Sequence, residues 1–285
     1  MPLTALGILL GAAVLHAGWN LILKQSERKF IALWWGSLIV AILCLPILIL
    51  HPAFPARVWP FALGSALFEA AYEGTLAAAY QKEDFSLVYP IARGSAPALL
   101  LVWSMLFLKE TPTPLGIAGL VVLTLGLMIL GSSRWWEVRG HGIQQLSGIA
   151  LAGLVALFIS IYSAIDGAAV KLVDAVPYTI LIFNLTSLLA APVILKLYGW
   201  RAMRDEMREH GLRAVSIGGL SLGSYMLVLI VYTFAPVSYA GAIREVSIVF
   251  GALAGWLWLK ERFGATRAAG AAVIFAGIMA IVLAG

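Results

Sequence analysis

The sequence predicts an all-α integral membrane protein in which ten transmembrane helices form two inverted five-helix repeats around a central cavity. Of its 285 residues, 62% are apolar and only 12% are charged, whereas an ordinary soluble domain carries about 25% charged residues. The apolar residues form ten runs of roughly 20 residues, the length that crosses a bilayer core of about 30 Å. The third observation is an internal repeat on either side of residues 132–145.

Short polar breaks separate the ten runs, which together take up nearly the whole chain. They leave no room for a separate catalytic domain, and continuous apolar runs exclude an outer-membrane barrel, whose strands would alternate apolar and polar residues. The longest breaks are 132–145 and the polar stretch 199–211, for which we expect a surface helix. The predicted spans are 3–23, 29–50, 58–80, 86–108, 112–131, 146–170, 176–198, 212–234, 237–259 and 265–284.

The repeat divides the chain into a first five-helix repeat (1–131), an inter-repeat loop (132–145) and a second five-helix repeat (146–285). An odd number of crossings separates equivalent points, so the two copies must lie in opposite orientations in the membrane. Inverted repeats are typical of transporters, because two pseudo-symmetric halves can open one central site to each side in turn. At an offset of 151 the matched pairs are Arg93 with Arg244, Gly119 with Gly270, Gly126 with Gly277, and Glu110 with Glu261.

Several short motifs accompany this architecture: "FLKE" before the fifth span, "WLKE" at the same place in the second half, "LHAGWN" in the first span, and "YPIARGSAP" in the fourth. With them, the chain resembles an EamA-type member of the drug/metabolite transporter superfamily. The resemblance implies secondary transport of small metabolites, often amino-acid export, through a cavity lined by both halves. Charged pairs at span ends, such as Lys109–Glu110 and Lys260–Glu261, are expected to be interfacial anchors.

The distribution of basic residues predicts the orientation in the membrane. Fourteen of the 19 lysines and arginines lie in or beside the odd-numbered breaks, three lie on the opposite side, and two lie inside spans. The positive-inside rule therefore places the odd-numbered breaks in the cytoplasm and both termini outside, in a bacterial-type inner membrane. The family resemblance implies cytoplasmic termini instead. Because the basic residues lie between helices, the net charge of +5 does not indicate nucleic-acid binding.

Two acids stand four residues apart inside the third span. Glu69 and Glu73 share one helical face, and two carboxylates this close in a low-dielectric cavity cannot both ionise easily unless Arg93 neutralises one. The pair is therefore a candidate for proton coupling or for holding an ammonium group, with a purely structural partnership as the alternative. A shift of 152 carries the two acids onto Ser221 and Tyr225, so the second repeat supplies a polar face without acids.

The two intramembrane arginines are expected to differ in role. Pro97 follows Arg93 by four residues and cannot donate to its carbonyl, which predicts a kink or interruption of the kind that marks transporter binding sites. Arg93 is therefore the predicted anchor for a substrate carboxylate, with neutralisation of Glu69 or Glu73 as the alternative. Arg244 has Glu245 beside it, and both are assigned to gating or structure.

Three further polar residues lie within spans. His16 and Asn20 share a face of the first helix and are candidate substrate-binding residues, with a neutral histidine and a structural amide as the alternative. Asp166 lies near the end of the sixth span, where we expect it to be solvated and satisfied by Lys171 in a gating or structural role.

The favoured function is secondary active transport of a small polar metabolite, an amino acid or similar zwitterion, with protons as a candidate coupling ion. Tyr72, Tyr89 and Tyr225 are predicted to supply aromatic cavity walls. No catalytic, metal-binding or cofactor motif occurs, so the alternatives are a passive channel or facilitator and, less favoured, an intramembrane enzyme. The expected partners are the substrate and the lipid bilayer, and the chain is expected to be a monomer or homodimer.

Overall fold

The computed structural model describes residues 1–50, 53–82, 85–131, 142–259 and 264–284. These residues form eleven α-helices and one short 3₁₀ turn, and no strand occurs among them. In chain order the elements are α1 (Leu3–Lys24), α2 (Lys29–Leu43), α3 (Leu45–Leu50), the 3₁₀ turn (Ala56–Val58), α4 (Trp59–Lys82), α5 (Phe85–Leu106), α6 (Pro114–Gly131), α7 (Gly142–Ala169), α8 (Ala175–Tyr232), α9 (Val237–Arg244), α10 (Ser247–Leu259) and α11 (Ala265–Leu283).

The predicted spans coincide with helices but differ from them in continuity. The second span divides at Cys44 into α2 and α3, and the ninth divides at residues 245–246 into α9 and α10. The long α8 contains the seventh and eighth spans, with the predicted surface helix between them, bounded by non-helical backbone at Gly199 and His210. Gly199 has a φ of 75°, a left-handed conformation that glycine adopts without steric cost.

The surface composition matches a chain that lies in lipid. Within the described ranges, five helical stretches are individually long and apolar enough to cross a bilayer: Leu3–Lys24, Gly148–Ala169, Ala175–Tyr232, Val237–Ala254 and Ala265–Leu283. Large apolar side chains also point outward, among them Leu3, Leu63, Leu188 and Phe275. A bilayer covers such surfaces, whereas a soluble monomer rarely exposes large apolar patches. The chain is therefore a multi-pass membrane protein, and the count of ten crossings stays a prediction.

Most helix packing joins the two repeats. α6 packs against α11, α2 against α8, and both α4 and α5 against α7, while α1 contacts α8 and α10. Because each repeat presents its helices to the other, residues from both repeats are brought to one central region.

Two glycine contacts between α6 and α11 show how the repeats are related. A Cβ atom on Gly119 would lie 2.8 Å from the carbonyl oxygen of Gly277, and one on Gly126 would lie 3.0 Å from that of Gly270. The offset of 151 exchanges these two contacts, since it maps Gly119 onto Gly270 and Gly126 onto Gly277. The helices therefore cross in antiparallel directions about a local two-fold relation, as inverted repeats require.

The turn after α5 also connects the repeats. Lys109 adopts a φ of 57°, and the backbone N–H of Glu110 donates to the carbonyl of Ser104 at 3.1 Å. The Glu110 carboxylate then accepts hydrogen bonds from the backbone N–H groups of Val237 and Ser238 at the start of α9. Glu110 is thus the N-terminal cap of a helix in the other repeat, a more specific structural role than the expected interfacial anchor. Lys260 and Glu261 lie outside the described residues.

Candidate functional site

A cavity of about 80 Å³ lies between the repeats, with room for several water molecules. The first repeat contributes lining side chains from α1, α2, α4 and α5, namely His16, Trp19, Leu33, Ser37, Glu69, Tyr72, Glu73 and Arg93. The second repeat contributes lining side chains from α7, α8 and α9, namely Tyr162, Phe183, Thr186, Ser187, Ser221, Ser224, Tyr225 and Arg244. The cavity therefore contains acidic, basic, hydroxyl and aromatic groups within a largely apolar molecule.

The two acids of α4 both line this cavity. The hydroxyl of Thr186 on α8 donates to Oε2 of Glu69 at 2.8 Å. The positions related to the acids by the repeat, Ser221 and Tyr225, line the same cavity. The two repeats thus contribute equivalent helical faces to the cavity wall, and the acids of α4 have a serine and a tyrosine as their counterparts.

Arg93 and Arg244 also line the cavity, although they come from opposite repeats. Behind them lies Glu245, whose side chain is 1% exposed. Nη1 of Arg93 lies 3.3 and 3.4 Å from the two carboxylate oxygens of Glu245. Nε and Nη2 of Arg244 lie 3.3 and 3.2 Å from Oε1 of the same residue. One buried carboxylate therefore bridges the two arginines.

The helix interruption lies in the second repeat and not at Pro97, where the sequence predicted a kink or an interruption. α5 is helical from Phe85 to Leu106, past both Arg93 and Pro97, because neighbouring groups can satisfy the backbone that proline frees inside a membrane protein. The ninth span, which has no proline there, is interrupted at residues 245–246. The N–H groups of Glu245, Val246, Ile248 and Val249 each donate to the carbonyl three residues earlier, which is the tighter 3₁₀ pattern.

Asp166 is fully buried, so the expectation that it is solvated and paired with Lys171 was wrong. The hydroxyl of Tyr178 donates to its Oδ1 at 2.8 Å, and that of Tyr225 donates to Oδ2. Lys171 instead donates to the backbone carbonyl of Thr233 at 3.1 Å, near the end of α8. The error arose because α4 and α5 pack against α7, and together with the two tyrosines of α8 they cover a residue that sequence position alone places near the membrane surface.

The polar face of α1 is only partly directed into the cavity. His16 lines it, and its Nε2 lies 3.3 Å from Nη2 of Arg93. Asn20 is not among the lining residues, and its amide donates to the carbonyl of His16 at 2.8 Å. Asn20 therefore does not line the cavity, and its role in substrate binding stays a prediction. The predicted wall residue Tyr89 has a side chain that lies outside the described part of the structure.

Sequence reasoning missed several lining residues, of which Tyr162 is the most informative. Its ring centroid lies 6.1 Å from that of Tyr72 and 6.2 Å from that of Tyr225, so these three tyrosines form a continuous aromatic wall. Tyr162 precedes Asp166 by four residues and shares its helical face. The same spacing of four residues identified Glu69 and Glu73 in the sequence, so it could have identified Tyr162 as well. Hydroxyl residues such as Thr186 and Ser187 carried no such signal, since they are common in membrane helices.

Two donors in the wall have no hydrogen-bond partner among the described residues, the indole Nε1 of Trp19 and Oγ of Ser187. Buried polar groups are normally paired, so these two donors are exceptions within the wall. Groups of three or more His, Cys, Asp or Glu side chains able to hold a metal ion do not occur within the described ranges.

The fold and the motifs both have counterparts among known proteins. The sequence model of the EamA-like transporter family matches residues 3–132 and 146–283. A solved structure described as "Crystal structure of protein" aligns with a TM-score of 0.78, covering 99% of this chain and 98% of its own, at 16% sequence identity. At that identity the likeness shows the fold alone. No curated protein matches the chain.

Proposed function

The chain belongs to the EamA-like transporter family, as its motifs predicted, and on that premise we propose that it is a secondary active transporter of a small zwitterion, with amino acids as the favoured class. Members of this family are membrane transporters rather than enzymes.

The observation that carries the proposal is the charge composition of one cavity. Arg93 and Arg244 line it together with Glu69 and Glu73. A zwitterion matches both signs, with its carboxylate at Arg93 and its ammonium group at the acids. A guanidinium suits the first task because its planar fork binds carboxylate oxygens in pairs, and His16 and the tyrosine wall enclose the rest of the solute.

Alternating access follows from the relation between the repeats. The cavity lies at the interface of two copies of opposite orientation, and exchange of their conformations would open it to either side. Helix packing across the repeats, with α6 against α11 and α2 against α8, supports a rearrangement in which whole helices move while the site stays between them.

Proton coupling is assigned to Glu69 and Glu73. The two carboxylates face one cavity, and adjacent carboxylates disfavour simultaneous ionisation, so substrate binding and proton occupancy can compete at this wall. The hydroxyl of Thr186 donates to Oε2 of Glu69. This hydrogen bond does not involve Oε1.

The test is transport by purified protein in sealed proteoliposomes supplied with a mixture of radiolabelled proteinogenic amino acids. We expect accumulation above equilibrium when a pH gradient is imposed, and counterflow when the vesicles are preloaded with unlabelled substrate. A passive facilitator would equilibrate the label without concentrating it. Absence of both uptake and counterflow, with protein-free vesicles as the control, would refute the assignment to amino acids.

The orientation is also a proposal: the odd-numbered breaks face the cytoplasm of a bacterial-type inner membrane and both termini face outward. Two of these breaks lie together, since Nη1 of Arg28 lies 3.2 Å from the carbonyl of Ala202 and Nη1 of Arg213 lies 3.5 Å from that of Gln25. They form one basic surface, which the positive-inside rule assigns to the cytoplasm. A cleavable tag after Gly285 should be removed by protease added to intact spheroplasts, and protection of that tag would reverse the orientation.

A further inference from the structure

Glu245 occupies a special position among the charged residues of the site. Its carboxylate contacts Arg93 from the first repeat and Arg244 from the second. Both arginines line the cavity, and Glu245 is not among the lining residues. The carboxylate therefore lies on the protein side of the two guanidinium groups, which separate it from the cavity.

Without this carboxylate, two guanidinium groups in one buried site would repel each other. With it, the three side chains carry a net charge of one positive unit. A guanidinium has five N–H donors, and the contacts of Arg244 with Glu245 use Nε and Nη2, so Nη1 is not engaged by Glu245. Nη1 of Arg244 is thus left by Glu245 for a group inside the cavity, and the three side chains keep one unit of positive charge.

We infer that Glu245 is a positioning residue that holds Arg93 and Arg244 together as one subsite for a single carboxylate. The inference rests on the proposed function and deepens it, because it limits the substrate to compounds with one carboxylate. A second carboxylate on the substrate would find no further uncompensated cation and would meet the acids Glu69 and Glu73 on the cavity wall. Rejection of dianions is then a consequence of charge matching rather than of size.

Simple carboxylates test the subsite without any assumption about transport. The probes are propionate, its neutral isostere propionamide, and the dianion malonate, at matched ionic strength, with dissociation constants taken from ligand-induced thermal stabilisation of the purified protein. For the wild type we expect propionate to bind about tenfold more tightly than propionamide, because only the charged carboxylate forms an ionic interaction with the arginines. Malonate should bind more weakly than propionate.

Glu245→Gln is the central variant, because glutamine keeps the shape and removes the negative charge. It removes the negative charge that bridges the two arginines, so the affinity for malonate relative to propionate should rise by about tenfold. Glu245→Asp is the matched control, since it keeps the charge and should retain the wild-type order of the three probes. A purely structural role for Glu245 would weaken all three probes together and leave their ratios unchanged.

Arg244→Gln gives a second route if Glu245→Gln does not fold. It removes the net positive charge of the group, so propionate should lose its advantage over propionamide. Unchanged probe ratios in either folded variant, or equal binding of propionate and propionamide to the wild type, would overturn the subsite. Failure of the proposed function has a different signature: propionate would bind as expected although no amino acid accumulates in proteoliposomes.

Discussion

The two repeats have the same backbone contacts at the crossing of α6 and α11, but they differ in helix structure at the cavity. At the crossing of α6 and α11, Gly119 and Gly126 make the same kind of backbone contact as Gly270 and Gly277. At the cavity, Arg93 lies within the uninterrupted helix α5, whereas its repeat mate Arg244 ends α9 just before a 3₁₀ turn. The repeats are alike where helices pack and differ where they meet the cavity.

The difference has a physical basis. Close helix crossings in a membrane need small residues on both partners, and a two-fold relation makes that requirement the same for both repeats. The cavity has no such constraint, because a substrate with distinct ends is bound best by walls of different charge. The symmetric backbone would allow the two repeats to exchange conformations. The different side chains on the two cavity walls would determine which substrate is bound.

The largest expected effect concerns the acids, which only the first repeat has at these positions. Glu69→Gln or Glu73→Gln keeps shape and hydrogen bonding but removes titration, so pH-gradient-driven accumulation in proteoliposomes should fall to the equilibrium level. Exchange of labelled for unlabelled substrate should persist in part, because exchange requires no net proton movement.

Ser221→Ala, at the repeat mate of Glu69, is the matched control and should retain pH-driven accumulation. If both glutamine variants concentrate substrate as the wild type does, the acids are structural and the coupling proposal fails.

The second prediction compares the two arginines directly. Arg93→Lys keeps the charge but loses the planar fork, and substrate affinity should drop on the order of 100-fold. Arg244→Lys should cost about tenfold or less, because the proposal places the substrate carboxylate primarily at Arg93. Binding to the purified, folded variants measures both, and a larger loss in Arg244→Lys would reverse the assignment.

Much of this asymmetry could be predicted from the sequence, and the exceptions share a cause. Hydropathy and the 151-residue offset predicted the spans, the repeat and most charged cavity residues, since these depend on local composition. Asp166 is buried by packing between helices and its carboxylate is paired with the hydroxyl groups of Tyr178 and Tyr225 on α8, neither of which the composition around Asp166 reveals. The 3₁₀ turn at Glu245 carries no proline or glycine signal, and the ion pair of Glu245 with Arg93 forms only when the repeats pack.

The third prediction tests the symmetric region. Gly119→Ala and Gly270→Ala should destabilise the protein by similar amounts, about 1–3 kcal/mol, because each new Cβ would lie within 3.0 Å of backbone atoms of the opposite helix. Gly153→Ala in α7 is the control, since a Cβ there meets nothing within 4 Å. Thermal unfolding in detergent measures all three, and unequal losses at the two mates would show that the crossing is not symmetric.

The smallest expected effect is that of Pro97, the residue from which an interruption near Arg93 was predicted. Because α5 is already helical through this position, Pro97→Ala restores a backbone donor for the carbonyl of Arg93 within an existing helix. Substrate affinity should therefore change by no more than about threefold, which is less than about 1 kcal/mol. Ile248→Pro places a proline at the repeat mate, where the N–H donates to the Glu245 carbonyl at 3.0 Å, and the lost bond should weaken binding more than Pro97→Ala does. If Pro97→Ala instead abolishes binding while Ile248→Pro is tolerated, the geometry that matters lies in α5, and the 3₁₀ turn of the second repeat does not shape the site.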